Sequence, residues 1–359
     1  MNAQAQAETT LGELLIPGTA VTLAAASTRV RVAVDGSQAA VSLLLGVPIS
    51  AMRSDLEASI RGALEGLGLA LGHLELQQRI AAHAPQGALS PLARVRNLVA
   101  VGSGKGGVGK STTAVNLALA LAADGARVGV LDADVYGPSV PTMLGLSGRP
   151  DSPDGKSIVP MRAHGIEAMS IGLMVEQDTP MIWRGPMATS ALTQLLDQTL
   201  WGGEDGLDYL VVDLPPGTGD IQLTLAQKIP VAGAIVVTTP QEVATLDARK
   251  AVRMFEKVDV PVLGLVENMA IHVCTQCGHA EHLFGEGGGA RMAETYGLPL
   301  LGALPLEKAI REQGDIGVPV VAAAPGSATA LAYRNLARNV AAHLAARPRA
   351  PMSIATSLL

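Results

Sequence analysis

The chain contains 359 residues, of which 48% are hydrophobic and 16% are charged, and its formal net charge is −6. A chain of this length and composition can bury a sizeable core, either as two domains or as one large domain with an appendage. Aromatic residues make up 2%, which disfavours proteins that grip single strands by base stacking. The negative net charge also disfavours a general nucleic-acid binder.

The beginning of the chain shows no targeting pattern. Residues 1–10 are polar and lack the basic stretch and following apolar stretch of a secretory signal. No uninterrupted apolar run reaches the about 18 residues that a membrane-spanning helix needs. We therefore expect a cytoplasmic protein without membrane or nucleic-acid partners.

Residues 8–80 are predicted to form a small N-terminal α+β domain. Residues 28–34 alternate polar and apolar side chains, as a half-buried strand does. Asp35 and Gly36 are a turn signal, and residues 39–45 can return as the partner strand of a hairpin.

A helix is predicted after this hairpin. Ser54 is expected to be its N-cap, and Leu56, Ile60 and Leu64 recur on one face. Residues 69–76 are predicted to add a strand or a short helix.

Residues 81–96 are predicted to be a linker, because prolines and a glycine interrupt them. In the following domain, residues 97–347, buried-strand patterns alternate with helical patterns. This alternation predicts an α/β fold with a mostly parallel sheet covered by helices on both faces. The seven predicted strands are 97–102, 127–131, 166–171, 208–213, 233–238, 261–266 and 299–304. Residues 348–359 are expected to form a weakly ordered tail.

A glycine-rich stretch follows the first of these strands and satisfies G-x-x-x-x-G-K-[ST]. Its residues are Gly104, Lys105, Gly106, Gly107, Val108, Gly109, Lys110, Ser111 and Thr112. Glycines allow successive backbone N–H groups to surround phosphate oxygens at the start of the next helix. Lys110 is expected to reach the β- and γ-phosphates and the Ser111 hydroxyl to bind Mg²⁺, so the stretch indicates a nucleoside triphosphatase. Lys105 is either a solvated loop lysine or a cation directed at phosphates, including those of a second subunit.

Acidic residues close two of the predicted strands. Asp132 and Asp134 follow the second strand, and Asp213 ends the fourth. Phosphate-binding folds place carboxylates there to hold Mg²⁺ or its water. Asp213 is our choice for Mg²⁺ with assistance from Asp132, and Asp134 is our choice for orienting the attacking water. Ordinary strand-end turns remain the alternative for each aspartate taken singly.

The chain has two cysteines, Cys274 and Cys277, which are too few and too close for a disulfide framework. A redox pair is disfavoured by their sequence context. Two alternatives remain on spacing alone. One is a structural zinc completed by His272, His279 or His282. The other is an iron–sulfur cluster that receives two thiolates from each of two subunits.

Taken together, these motifs resemble a known family. The loop with its extra Lys105 resembles the deviant Walker A motif of the MinD, ParA and nitrogenase iron protein superfamily. The segments 131–139, 213–220 and 266–269, followed by the cysteine pair, resemble the Mrp/NBP35 group, which includes bacterial ApbC. That group comprises ATP-binding iron–sulfur cluster carriers, and the resemblance covers about residues 95–345.

The resemblance implies a homodimer that encloses ATP and Mg²⁺, with Lys105 crossing the interface as a catalytic residue beside Lys110. It also implies that Asn268 contacts the adenine base. Cys274 and Cys277 of both subunits would bridge a labile cluster, expected to be 4Fe-4S, for delivery to apoproteins. Residues 8–80 occupy the place of a small MIP18-like domain. The alternatives are a positioning ATPase like MinD or ParA and a P-loop ATPase with structural zinc.

Overall fold

The computed structural model describes residues 2–87, 89–174 and 185–349. The strands are β1 (Ser27–Asp35), β2 (Gln38–Leu45), β3 (Ala70–Gln78), β4 (Val95–Ser103), β5 (Val128–Asp132), β6 (Met161–Ala163), β7 (Ile166–Ser170), β8 (Leu207–Asp213), β9 (Gly233–Thr238), β10 (Val262–Val273), β11 (Ala280–Glu281) and β12 (Leu300–Pro305). The helices are α1 (Ala3–Glu13), α2 (Leu23–Ala26), α3 (Arg53–Glu65), α4 (Lys110–Ala123), α5 (Val140–Met143), α6 (Gly185–Gln198), α7 (Asp220–Lys228), α8 (Glu242–Lys257), α9 (Gly288–Tyr296), α10 (Lys308–Asp315), α11 (Val320–Ala323) and α12 (Ala328–Ala345).

A nine-stranded sheet forms the centre of the main domain. Its order is β11-β10-β9-β4-β8-β5-β7-β6, and β12 pairs with β10. Among the described strands of this sheet, β6 pairs antiparallel with β7 and β11 pairs antiparallel with β10, whereas the remaining pairs are parallel. The carboxyl ends of β4, β5, β8, β9 and β10 therefore meet at one edge, where open α/β sheets bind ligands.

Helices cover both faces of this sheet, as strand β4 illustrates. Val99 and Val101 pack into one hydrophobic cluster with residues of α4 and α12. Leu98 and Ala100 pack into a second cluster with residues of α6, α7 and α8. The predicted α/β class with two covered faces is confirmed.

All seven predicted strands are present, and six of them agree with the prediction within two residues at each end. The exception is β10, which was expected to end at position 266 and continues to Val273. Because of this extension, the strand that carries Asn268 leads directly into Cys274.

The N-terminal region contains a three-stranded sheet in the order β1-β2-β3. Strands β1 and β2 form the expected hairpin, with Asp35 opposite Gln38 at its end. The predicted cap of α3 was wrong: Met52 occupies the N-cap without a side-chain hydrogen bond, and Ser54 lies inside the first turn. Helix α1 was not predicted, because its alanine-rich sequence has no apolar periodicity, although Ala7 and Leu11 are buried.

The N-terminal region packs against the end of α4 and against α12. Asp124, the C-cap of α4, is 2% exposed. Its carboxylate accepts hydrogen bonds from Arg334 at 2.8 Å and Arg338 at 3.0 Å, both on α12. The Asp124 carbonyl accepts from the Ser50 N–H at 3.0 Å, and Gln78 donates to the Gly125 carbonyl at 3.1 Å. One hydrophobic cluster spans both regions.

Strand β4 begins at Val95, inside the stretch assigned to the linker 81–96. Within that stretch, His83 and Gln86 are buried and hydrogen-bonded to the main domain. The predicted tail lies outside the described residues from position 350 onward. Across the described ranges, none of the helices combines the length and apolar character needed to cross a bilayer.

Candidate nucleotide and thiol site

The glycine-rich stretch 104–112 follows β4 directly, and its last three residues form the first turn of α4, so it connects a strand to a helix as its sequence predicted. Gly107 and Gly109 have φ angles of +79° and +81°, which side chains with a Cβ rarely adopt. A Cβ on Gly104 would lie 2.0 Å from the carbonyl carbon of Asp247. The stretch therefore needs glycine at three positions, and its backbone can form an anion-binding turn at the N-terminus of α4.

Asn268, at the sheet edge on β10, contacts this loop. Its side-chain amide donates to the Val108 carbonyl at 2.8 Å. A Cβ on Gly109 would stand 2.1 Å from the same amide nitrogen. The sequence-predicted nucleotide residue Asn268 is thus brought against the phosphate loop.

Lys110 is 6% exposed and joins two of the predicted acidic residues. Its ammonium lies 2.5 Å from Asp213 Oδ1, 3.9 Å from Asp134 Oδ2 and 3.2 Å from the Ser111 hydroxyl. These contacts place the P-loop lysine, the hydroxyl and two carboxylates within a few ångströms. This combination suits the binding of a phosphate chain with its metal ion.

Asp213 is fully buried, and its Oδ2 has no hydrogen-bond partner within the described residues. Burial raises the pKa of Asp213 above its ordinary value, against the opposing effect of Lys110. A buried carboxylate oxygen without a partner is costly unless it binds a donor or a cation. Asp213 therefore fits the role of a group that faces Mg²⁺ or one of its waters.

Asp132 is held more firmly than the other two aspartates. Its oxygens accept hydrogen bonds from the N–H groups of Asp134 and Val140 and from the Ser170 hydroxyl, each at 3.1 Å. Burial, and then the neighbouring Asp213 carboxylate, raise the pKa of Asp132 to about 7. These three hydrogen bonds fix the Asp132 carboxylate within the turn between β5 and α5.

Asp134 directs one oxygen to its own turn and the other towards Lys110. Its Oδ1 accepts from the N–H groups of Tyr136 and Gly137, at 3.2 and 3.3 Å.

Lys105 is half-buried, and its carbonyl accepts from the Ser103 hydroxyl at 2.9 Å. Among the described side chains, no carboxylate forms an ion pair with Lys105.

Cys274 and Cys277 lie at the tip of a hairpin formed by β10 and β11. Its strands pair through Val273 opposite Ala280, and the Cys274 N–H donates to the His279 carbonyl at 2.9 Å. Cys277 is exposed and Cys274 is half-buried. Both thiols therefore stand at a surface that a second chain can approach.

The backbone of this turn lowers the pKa of Cys274. Hydrogen bonds from the backbone N–H groups of Cys277 and Gln276 lower the pKa of the Cys274 thiol. A lower pKa increases the thiolate fraction, and the thiolate is the form that binds metals.

The three histidines near the pair have different positions. His272 Nδ1 is 2.9 Å from the Leu306 carbonyl, and His282 Nδ1 is 2.7 Å from the Ala270 carbonyl, whereas His279 is exposed at the turn. Across the described ranges, no three or more histidine, cysteine or acidic side chains are grouped to hold one metal ion. One chain thus presents a pair of thiols at this tip.

A cavity of about 450 Å³ adjoins the phosphate loop. Gly109 and Thr112 form one side of it, and Asn268, Met269 and Leu306 form another. Sequence reasoning missed Met269 and Leu306. Neither carries a polar group that signals a site, and their proximity depends on how β10 and β12 pair.

The sheet, the loop and the acidic residues at its edge define a P-loop NTPase. The comparisons agree: a family model described as ParA, NUBPL iron-transfer P-loop NTPase, matches residues 94–341. The chain belongs to this family.

Two similar proteins are each named iron-sulfur cluster carrier protein. The one from Pseudomonas fragi is 59% identical over 272 residues, covering 75% of this chain and 94% of the relative. The one from Escherichia coli K12 is 60% identical over 251 residues, covering 70% of this chain and 67% of the relative.

This chain is also similar to proteins of solved structure. A nucleotide-binding protein from Archaeoglobus fulgidus in complex with ADP is 38% identical, with a TM-score of 0.56, covering 63% of this chain and 88% of that one. The cell division ATPase MinD of Pyrococcus furiosus is 22% identical, with a TM-score of 0.51, covering 68% of this chain and 98% of that one. At this level of identity the likeness supports the fold alone.

Proposed function

We propose that the protein is an ATP-binding and ATP-hydrolysing iron–sulfur cluster carrier. It holds a labile cluster at Cys274 and Cys277 of two subunits and delivers it to apoproteins in the cytoplasm. The observation that carries this proposal is the position of the two thiols, at the accessible end of the strand whose Asn268 contacts the phosphate loop. The names of the P. fragi and E. coli relatives support it.

For hydrolysis, Lys110 moves from its carboxylate partners to the β- and γ-phosphates, which the loop N–H groups surround. Ser111 and Asp213 would hold Mg²⁺, with Asp132 assisting, and the metal supplies charge neutralisation of the phosphates. Asp134 orients the attacking water through the oxygen that its turn leaves available. Lys105 extends from the loop to the nucleotide of the twin subunit.

The cluster is cargo in this scheme and is proposed to be 4Fe-4S. Such clusters usually take four thiolates, and one chain offers a pair, so a twofold axis through the hairpin tips completes the set. Val243 and Leu246, apolar and 65% and 45% exposed, lie on α8, the helix whose backbone at Asp247 adjoins Gly104, and support a homodimer on this side.

Anaerobic reconstitution tests the proposal. Wild-type protein given ferrous iron and sulfide should become brown and contain iron and sulfide, whereas Cys274→Ala and Cys277→Ala should bind no stable cluster. Both variants should still bind ATP, because neither cysteine lines the cavity beside the phosphate loop. Thr275→Ala, in the same turn, is the matched control and should retain the cluster.

Two results would contradict the proposal. Stoichiometric cluster in Cys274→Ala would show that other ligands hold it. Colourless wild-type protein that contains zinc and no iron would favour the structural zinc alternative.

A further inference from the structure

Strand β10 contacts the phosphate loop and carries the thiol hairpin. Asn268 donates to the Val108 carbonyl, and the strand ends at Val273, directly before Cys274. A short piece of backbone therefore connects a group bound to the loop with the first thiol.

The backbone is irregular between these two points. From Glu267 to Ile271, β10 advances four positions while its partner β12 advances two, from Ala303 to Pro305. Within this bulge, Met269 has a φ of +57°, in the left-handed region that residues with a Cβ seldom adopt. A bulge of this kind bends a strand and changes the direction of the residues after it.

The amino-terminal side of the bulge lies against the loop. A Cβ on Gly109 would lie 2.1 Å from the Asn268 amide nitrogen and 3.7 Å from the Met269 terminal methyl. Met269 also lines the cavity beside the loop. The side chains of Asn268 and Met269 are therefore the groups of β10 that lie closest to the loop at Gly109.

The carboxyl-terminal side of the bulge is anchored to neighbouring segments. The Ala270 carbonyl is 2.7 Å from His282 Nδ1. The Ile271 carbonyl accepts from the Leu306 N–H at 2.8 Å, and His272 Nδ1 lies 2.9 Å from the Leu306 carbonyl. Met269 therefore lies between the residue that contacts the loop and the segment that is hydrogen-bonded to His282 and Leu306.

We propose that Met269 is a positioning residue, whose left-handed backbone turns β10 so that loop movements change the accessibility of Cys274 and Cys277. Nucleotide at the phosphate loop thereby controls the exposure of the thiols. The inference rests on the proposed function, because it assumes that nucleotide binding at the loop and the thiols serve one activity.

The test uses the full chain without cluster, in which Cys274 and Cys277 are the two cysteines. Their alkylation by iodoacetamide is timed with Mg-ADP, with a non-hydrolysable Mg-ATP analogue and without nucleotide. Nucleotide should change the wild-type rate by at least about fivefold, the lower end of ordinary coupling between sites. Nucleotide affinity is measured in parallel with a fluorescent ADP.

Two substitutions of Met269 distinguish the effect of its backbone conformation from the effect of losing its side chain. Met269→Asn should keep the nucleotide effect, since asparagine tolerates the left-handed region. Met269→Val should reduce the effect to less than about 1.5-fold while nucleotide still binds, since a β-branched residue resists that conformation.

Asp259 provides the matched control, because it is exposed, has the same φ of +57° and lies between α8 and β10. Asp259→Val introduces equivalent strain away from the loop and should keep the nucleotide effect. The inference is wrong if nucleotide changes the alkylation rate of Met269→Val as much as that of the wild type. It is also wrong if nucleotide binds to the wild type without changing its alkylation rate.

Association of subunits could also protect thiols, and dilution distinguishes that case. A nucleotide effect that persists over a tenfold dilution supports the positioning role, and an effect that disappears overturns it. The proposed function fails separately, because it depends on reconstitution: responsive thiols that accept no cluster would leave the role of Met269 intact and remove the carrier activity.

Discussion

At the residue scale, Gly107 and Gly109 share a left-handed backbone and differ in their surroundings. A Cβ on Gly107 meets nothing within 4 Å, whereas one on Gly109 meets the Asn268 amide at 2.1 Å. We expect Gly107→Ala to lower the free energy of unfolding by roughly 1–2 kcal/mol, the cost of a Cβ in this conformation. Gly109→Ala should lower it further, because Asn268 must also move. Urea denaturation without nucleotide measures both, and equal losses would contradict the predicted clash.

His83 gives a prediction about pH. Its Nδ1 is 3.0 Å from the Asn97 side-chain oxygen, and its Nε2 is buried without a partner within the described residues. Burial lowers the pKa of His83 below its ordinary value of 6.5. Below pH 6.5 the unfolded chain therefore binds a proton that the folded chain resists, so stability is full above that pH and falls as pH decreases.

The contribution of this one group is at most about 1.4 kcal/mol per pH unit. In His83→Leu, the decline of unfolding free energy between pH 6.5 and 5 should be shallower than in the wild type. The exposed His73 supplies the control, and His73→Leu should keep the wild-type slope. Parallel pH profiles for wild type and His83→Leu would contradict the assignment.

At the scale of elements, the C-terminal end of α4 depends on a buried ion cluster. Asp124 is 2% exposed and pairs with Arg334 and Arg338 of α12. Asp124→Ala should lower the free energy of unfolding by roughly 3–5 kcal/mol, since two largely buried guanidinium groups lose their partner. Asp247→Ala removes an ion pair with the exposed Lys250 and should change it by no more than about 1 kcal/mol. Chemical denaturation of both variants measures the difference.

Sequence patterns located most elements of the main domain, because its buried strands are short apolar runs bounded by glycine, proline and polar residues. Strand β10 shows a case in which the local pattern did not predict the end of the strand. Past position 266 its residues alternate poorly and include the polar Asn268 and His272, and the strand continues because β12 and β11 supply hydrogen-bond partners. Pairing between distant segments is invisible in a local pattern.

The candidate site was likewise predictable from the sequence only in part. The phosphate loop, its three aspartates and the cysteine pair were recognisable, since each has a fixed spacing or follows a strand directly. The left-handed backbone of Met269 and the Asn268–Val108 hydrogen bond were not predictable. The partners of that bond lie 160 positions apart along the chain, and only the folded sheet brings them together.

At the scale of the whole molecule, the proposed homodimer makes a prediction about α8. Val243→Glu combined with Leu246→Glu should shift the nucleotide-bound protein from dimer to monomer, because charge replaces exposed apolar surface on the helix that adjoins the phosphate loop. Light scattering after size-exclusion chromatography measures the mass. Leu331→Glu, on α12 and similarly exposed at 46%, is the control and should leave the mass unchanged. A dimer that survives the double substitution would place the interface elsewhere.

The docking of the N-terminal region on α12 affects how the protein is made. A ribosome that adds about 5–20 residues per second needs roughly 15–60 s to travel from β2 to α12. During that interval the hydrophobic cluster that contains Leu45 lacks its members on α12, such as Leu344. The core that joins the N-terminal region to the main domain therefore forms last, when synthesis is nearly complete.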